Sequence, residues 1–419
     1  MNRLNFIYIV IFSLFFLSIV YTQQVKELPK DDSCISCHMD EENMPEDFNE
    51  LDIHLQKGLS CAGCHGGNPN INDEDAMAES EGFIGVPDKK DIPQFCGKCH
   101  SDIKMMRTYQ PRIQTDQVSQ YFTSVHGQKL KKGDKKVADC TSCHTSHSIL
   151  PAKDPRSSVY AINVPETCKK CHSDKEYMKE YKIRTDQYSE FVVSVHGKAL
   201  LEKKDTGAPA CNDCHGNHGA TPPGLTSISH VCGTCHYNNM EYFSATVMSA
   251  KFEEQKIHGC EECHGNHNVM KTNIEMVGTD DKAVCVKCHK SGDEGYETAK
   301  AIRKSLVNLS QDLDSLAMEQ KEVERIGMDD MDINYLYQEA HQSFIKAQTL
   351  VHTFDSTKVE AETYKGIKKS KEASLIAVNQ IKEHKTRRLG LGITTIFITL
   401  LVIALYFKIK EIDKSEKKA

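Results

Sequence analysis

Tryptophan is absent from these 419 residues, and aromatic side chains make up only 7 % of them. Mean hydropathy is −0.50. A chain of this length would suggest two or three domains, yet before residue 295 apolar stripes are few, so side chains alone supply little of the core there. Basic clusters are missing from the same region and the formal net charge is −7, which excludes nucleic acid as a partner. No cysteine stands alone either. All 18 fall into pairs with two residues between the partners, and every pair is followed at once by a histidine.

That pattern, C-x-x-C-H, occurs nine times. The spacing has a chemical reason. Two thiols reach the two vinyl groups on one haem edge and form thioethers, and the adjacent histidine lies under the iron as proximal ligand. A zinc ribbon, a thioredoxin-like pair or a disulfide framework would not place a histidine after every pair. The thiols are Cys34 and Cys37, Cys61 and Cys64, Cys96 and Cys99, Cys140 and Cys143, Cys168 and Cys171, Cys211 and Cys214, Cys232 and Cys235, Cys260 and Cys263, and Cys285 and Cys288. The proximal histidines are His38, His65, His100, His144, His172, His215, His236, His264 and His289. Nine covalently bound haem c groups, each with its iron, are therefore expected, and the porphyrins would supply much of the missing core. On these motifs the chain resembles the multihaem cytochromes c over about residues 30–290. The resemblance implies haem attachment on the periplasmic, outer face of a cytoplasmic membrane.

An apolar run lies near each end of the chain. A basic start, MNRLN, precedes an apolar run from Phe6 to Tyr21, which predicts a signal peptide over 1–22 or a retained N-terminal anchor. Residues 389–407 are uncharged, and nineteen helical residues at ~1.5 Å each span a bilayer core of about 30 Å. This predicts one transmembrane helix. Basic residues flank it on both sides, so charge alone leaves its orientation open. Haem attachment places the haem-bearing part outside and the tail, 408–419, in the cytoplasm.

The region 23–294 reads as a nonahaem domain built from repeated modules at about 30–72, 96–147, 168–218 and 232–267, with a ninth motif at 285–289. In the second and third modules CHSD, TDQ and SVHG recur in order, and a histidine follows the second proximal histidine by three, in CTSCHTSH and CNDCHGNH. The fourth module is shortened. Aligning its IHG with SVHG places His258 in the same slot as His126 and His196, and its last histidine is His267. The opening module offers His54, while Asn68 stands where the others have His147, His218 and His267. A low-spin haem needs a second axial ligand. The recurring His54, His126, His147, His196, His218, His258 and His267 are therefore expected as distal ligands, each lent to a neighbouring haem. His230 fits no repeat position. With His230 included, eight spare histidines face nine irons, so at least one iron lacks a distal ligand from this region.

Residues 295–388 carry no cysteine and predict an antiparallel helical bundle. Ile302, Leu306, Leu309, Leu313 and Leu316 form one stripe, and Leu336, Ala340, Phe344, Ala347 and Val351 a second. A turn at 354–360, capped by Asp355 or Ser356, leads into a third helix. His341 and His352 would share a face of the middle helix. His352 is the better candidate for the missing ligand of the ninth haem, with His341 as the alternative.

The expected fold is mainly α with much irregular structure: a multihaem domain, a bundle, then one C-terminal transmembrane helix. Haems followed by a bundle resemble the architecture of the hydroxylamine oxidoreductase and pentahaem nitrite reductase group. All nine motifs here end in histidine, however, and no residue matches the former's cross-linked tyrosine. The leading expectation is an electron carrier between a quinone-linked membrane partner and periplasmic redox proteins, with the bundle as a surface for self-association. The alternative is an oxidoreductase with one open haem acting on a small nitrogen or sulfur compound.

Overall fold

A computed structural model describes residues 32–40, 51–224 and 228–416. The expected signal peptide or anchor lies outside the described residues, as do the last three residues of the tail. The fold is mainly helical with much irregular structure, and the described residues contain no strand. Contacts divide the chain into two units. The first is Met1–Pro223 with Asn266–Met270, and the second is Gly224–Gly265 with Lys271–Ala419. The line therefore falls inside the haem-bearing region and not at residue 295.

The first unit is built from short helices. Several motif helices are only five residues long, such as Cys140–His144 and Cys211–His215. An isolated helix of that length cannot hold itself in water. The apolar side chains that could support them form two small clusters, around Tyr121, Leu130 and Val137 and around Val164, Leu200 and Ala210. This is the fold of a chain that relies on something other than side chains for its interior.

The second unit contains the bundle. Its first helix, Glu294–Arg325, is capped by Asp293, which accepts the Tyr296 N–H at 2.6 Å. Ile302, Leu306, Leu309, Leu313 and Leu316 are all buried, as their heptad spacing requires. The second helix, Met331–Leu350, buries Ala340 and Ala347, and the third packs Ala373 and Ala377 at full burial. These small side chains let the helices approach closely. At Gly366 an added Cβ would come within 2.7 Å of Leu309. The second helix stops at Leu350, so Val351 falls in a tight turn, Val351–Thr353. Asp355 then accepts the N–H groups of Thr357 and Lys358, at 2.9 and 3.3 Å, and starts the third helix.

That third helix runs unbroken from Ser356 to Glu416, 61 residues and about 90 Å. Beyond His384 every residue described is exposed, including Leu389, Phe397 and Phe407, each more than 60 % accessible. An apolar helix surface with no protein against it suits lipid, and this helix is long and apolar enough to cross a membrane.

The fourth module up to Gly265 and the ninth motif belong to the same unit as the bundle. Phe243 packs edge-on against Phe252 and Phe354, with ring centres 5.9 and 6.3 Å apart. Ile274 and Val277 pack on the Ile302–Leu306 cluster. Arg303 donates to the carbonyls of Glu275 and Val277 and pairs with Asp280 at 2.8 Å.

Candidate functional site

Two local constructions recur along the chain. The first follows the second motif of each module. The residue after the proximal histidine has positive φ in all four: 72° at Gly66, 68° at Thr145, 87° at Gly216 and 77° at Gly265. Glycine suits three of these turns because it adopts that conformation at no steric cost. The turn ends the motif helix and directs the chain away, so the histidine three residues on leaves its own motif. Asp139 and Asp213 secure the start of the same helices. Asp139 accepts the N–H of Thr141 at 2.8 Å, and Asp213 that of Ala210 at 2.7 Å.

The second construction is a capped turn that holds the SVHG histidine. Ser124 accepts the Gly127 N–H at 2.9 Å and donates to the Tyr121 carbonyl at 2.6 Å. Ser194 repeats both bonds with Gly197 and Phe191, at 2.9 and 2.6 Å. A Cβ on Gly127 or Gly197 would overlap the carbonyl of Tyr121 or Phe191, which explains the glycine. In the opening module Asp52 takes the serine's place and accepts from His54 and Leu55.

One backbone bond ties each of these turns to the module that follows. Ile53 donates to the Ile149 carbonyl at 2.8 Å, Val125 to Ala220 at 3.2 Å and Val195 to Val269 at 2.7 Å. Each acceptor lies two residues beyond a spare histidine, His147, His218 or His267. The last tie explains why 266–270 belongs to the first unit.

These ties bring spare and proximal histidines together. His54 faces His100 with ring centres 6.1 Å apart, His65 faces His147 at 6.3 Å, and His126 faces His172 at 6.1 Å. His144 faces His218 at 6.1 Å and His215 faces His267 at 5.9 Å. In the second unit His264 faces His352 at 6.1 Å. One iron between two imidazoles requires the same separation. Bonds of about 2.0 Å on each side, with about 1.1 Å from each nitrogen to its ring centre, add to ~6.2 Å. The residues present therefore fit a bis-histidine haem at each of these six places.

The protonation states fit as well. Burial holds His100, His126, His172 and His264 below the usual histidine range and pushes His144 down to about 4. These rings are neutral at pH 7, the form that ligates a metal. His65 meets the Gly85 carbonyl through Nδ1 at 2.9 Å, and His352 the Thr349 carbonyl at 2.9 Å. Donation from Nδ1 leaves Nε2 free for iron.

Two placements differ from the sequence reading. His352, assigned there to the ninth motif, faces His264 of the eighth. His258 does not occupy the SVHG turn. It precedes the helix Gly259–His264, and its Nδ1 engages Glu261. The capped turn of the fourth module is 246–249, where Thr246 accepts the Ser249 N–H at 3.1 Å and donates to Phe243 at 2.7 Å. The shortened module has lost the loop before the turn, not the loop after it. His196 sits in its capped turn as His126 does. His341 stacks on Tyr337, and Asn68 binds Glu81 at 2.9 Å. At the ninth motif His289 lies against Gly295, where a Cβ would overlap its ring, with Nδ1 3.2 Å from Asp293. Sequence reasoning missed Asp52, Thr246 and Asp293. The signal that could have found them is a cap residue two before each slot residue or four after His289.

Paired motif histidines in a mainly helical fold, with no strand among the described residues, fit a multihaem cytochrome c. The comparisons with known proteins agree: residues 53–173 match the family model for cytochrome c3, and residues 18–66 that for cytochrome c554 and c-prime. Both support a multihaem electron-transfer cytochrome with covalently bound haem c. No curated protein and no solved structure matches the chain.

Proposed function

We propose that this chain is a membrane-anchored periplasmic nonahaem cytochrome. It would carry electrons between a quinone-linked membrane partner and periplasmic redox proteins. The observation that carries the reading is the exchange of histidines between neighbouring modules. The SVHG-type turn of one module supplies the next module's first motif, as His54 does for His100 and His126 for His172. The second motif of the later module supplies the earlier module's second motif, as His147, His218 and His267 do. Each of these histidine pairs draws on two modules, so neighbouring motifs joined in this way are held close.

Haem c, when bound, supplies the redox-active iron. His54, His126, His147, His218, His267 and His352 would hold the iron together with the motif histidines they meet, and would keep water and substrate from it. Filled axial positions favour electron passage over binding of a substrate. His196, which sits in its capped turn as His126 does, is retained as a candidate distal ligand beside the six paired histidines. The helix through 389–407 supports anchoring, with the tail 408–419 inside. Mass spectrometry of the mature chain tests the count: nine haem additions are expected, and seven or fewer in well-matured protein would refute it.

One observation favours a second reading. No histidine ring is paired with His38 among the described residues, whereas six other motif histidines are paired. An open iron at His38 would admit a small nitrogen or sulfur compound, of the nitrite or hydroxylamine kind. A redox titration followed by EPR discriminates the readings. The carrier reading expects no turnover with such compounds, whereas the enzyme reading expects a high-spin centre that reacts with them.

A further inference from the structure

Four capped turns share one construction, and three of them carry a histidine at the third position. The residues are Asp52-Ile53-His54-Leu55, Ser124-Val125-His126-Gly127, Ser194-Val195-His196-Gly197 and Thr246-Val247-Met248-Ser249. In each, the cap oxygen accepts the N–H three residues on, at 3.3, 2.9, 2.9 and 3.1 Å. Ser124, Ser194 and Thr246 also donate to the carbonyl three residues back, at 2.6, 2.6 and 2.7 Å. The cap backbones match, with ψ of 160°, 164° and 154°. The position that holds His54, His126 and His196 is therefore held in the fourth module by Met248, which is half-buried, while its neighbour Val247 is 78 % exposed.

The exchange rule says which iron this position serves. His54 and His126 each face the first motif of the next module, whose proximal histidine lies 46 residues ahead. From Met248 the next first motif is the ninth, and His289 lies 41 residues ahead; from His258 the interval is only 31. The ninth motif is thus the first half of a fifth module. Its second half is replaced by the bundle, which supplies His352 to His264.

A thioether is a soft donor that ligates haem iron, and a histidine–methionine pair holds that iron at a more positive potential than two histidines. We propose that Met248 is the distal ligand of the ninth haem, so that this haem is His289/Met248-ligated and the most oxidising low-spin centre of the chain. The proposal rests on the multihaem reading above.

The test uses the full-length, haem-loaded protein in detergent. Near-infrared magnetic circular dichroism of the oxidised protein should show one sulfur–iron charge-transfer band beside the bis-histidine signals. Met248→Ala should abolish that band and add one high-spin centre, with the haem count unchanged. Met248→His should also abolish it, restore the low-spin count and move one midpoint potential to a more negative value. A parent protein with nine haems and no sulfur–iron band would overturn the proposal. So would a Met248→Ala variant with unaltered spectrum and potentials, or a His258→Ala variant that produces the new high-spin centre instead. Free thiols at Cys285 and Cys288 in mature protein would refute the ninth haem itself, a failure that mass spectrometry separates from the others.

Discussion

The imidazoles of His144 and His218 lie 11° from parallel with centres 6.1 Å apart, although 74 residues separate them in the chain. His218 belongs to the motif of His215, whose own ring faces His267. Replacing His218 with alanine is therefore expected to change the haem of His144 and leave that of His215 alone. Both thioethers and the proximal histidine survive, so the haem count should stay constant while one iron becomes high-spin. EPR spin counting with mass spectrometry decides it. An unchanged low-spin count would remove His218 from the ligand set.

His352, in the turn after the second bundle helix, lies 6.1 Å from His264 by ring centres although 88 residues separate them. His352→Ala should produce one high-spin centre at the eighth motif, though the substitution lies outside the cysteine-bearing region. His341→Ala, which loses a ring stacked on Tyr337, should leave every spin state as it was. Parallel EPR spectra of the two variants separate ligation from general damage to the bundle. Equal spectra would refute the role of His352.

Gly127→Ala probes the capped turn without touching a ligand. A Cβ there overlaps the Tyr121 carbonyl, so the turn must open and carry His126 with it. Overpacking of this kind costs about 1–3 kcal/mol. The expected result is a lower thermal midpoint and a fraction of high-spin iron at the motif of His172, partly reversed on cooling. Gly133→Ala, with φ of 93° but open space around it, should lower the midpoint and leave the spin states unchanged.

Ending the chain before Leu389 removes the exposed apolar segment and leaves the bundle contacts of Ala373 and Ala377 in place. A soluble product with its full haem complement is expected. Fractionation after alkaline extraction is the measurement, and a truncated protein that still sediments with membranes would show that the anchor lies elsewhere.

Much of this protein is legible without coordinates because its chemistry works at short range. Two vinyl groups and an iron demand two thiols and a histidine in five residues, so each motif announces itself. The bundle stripe through Ile302 and Leu316 and the uncharged run 389–407 are equally local, since helix period and bilayer thickness are fixed lengths. The recurrence of SVHG and of the histidine after CTSCH and CNDCH marks spare ligands as a class.

Which imidazole meets which iron is a matter of chain path, and sequence spacing carries it poorly. His258 matched its slot by count, 22 residues after His236 against 26 and 24 in the earlier modules, because a deletion before the turn and one after it leave similar totals. Only the hydrogen bonds of Thr246 show where the residues were lost and put Met248 in the turn. His352 was expected to complete the ninth motif because no module follows it. The structure sets it beside His264 of the eighth instead, since the helix ends at Leu350 and the turn Val351–Thr353 carries the ring there. A motif binds within its own five residues and can be read locally; a distal ligand crosses from one module to another, and only the folded path determines where it arrives.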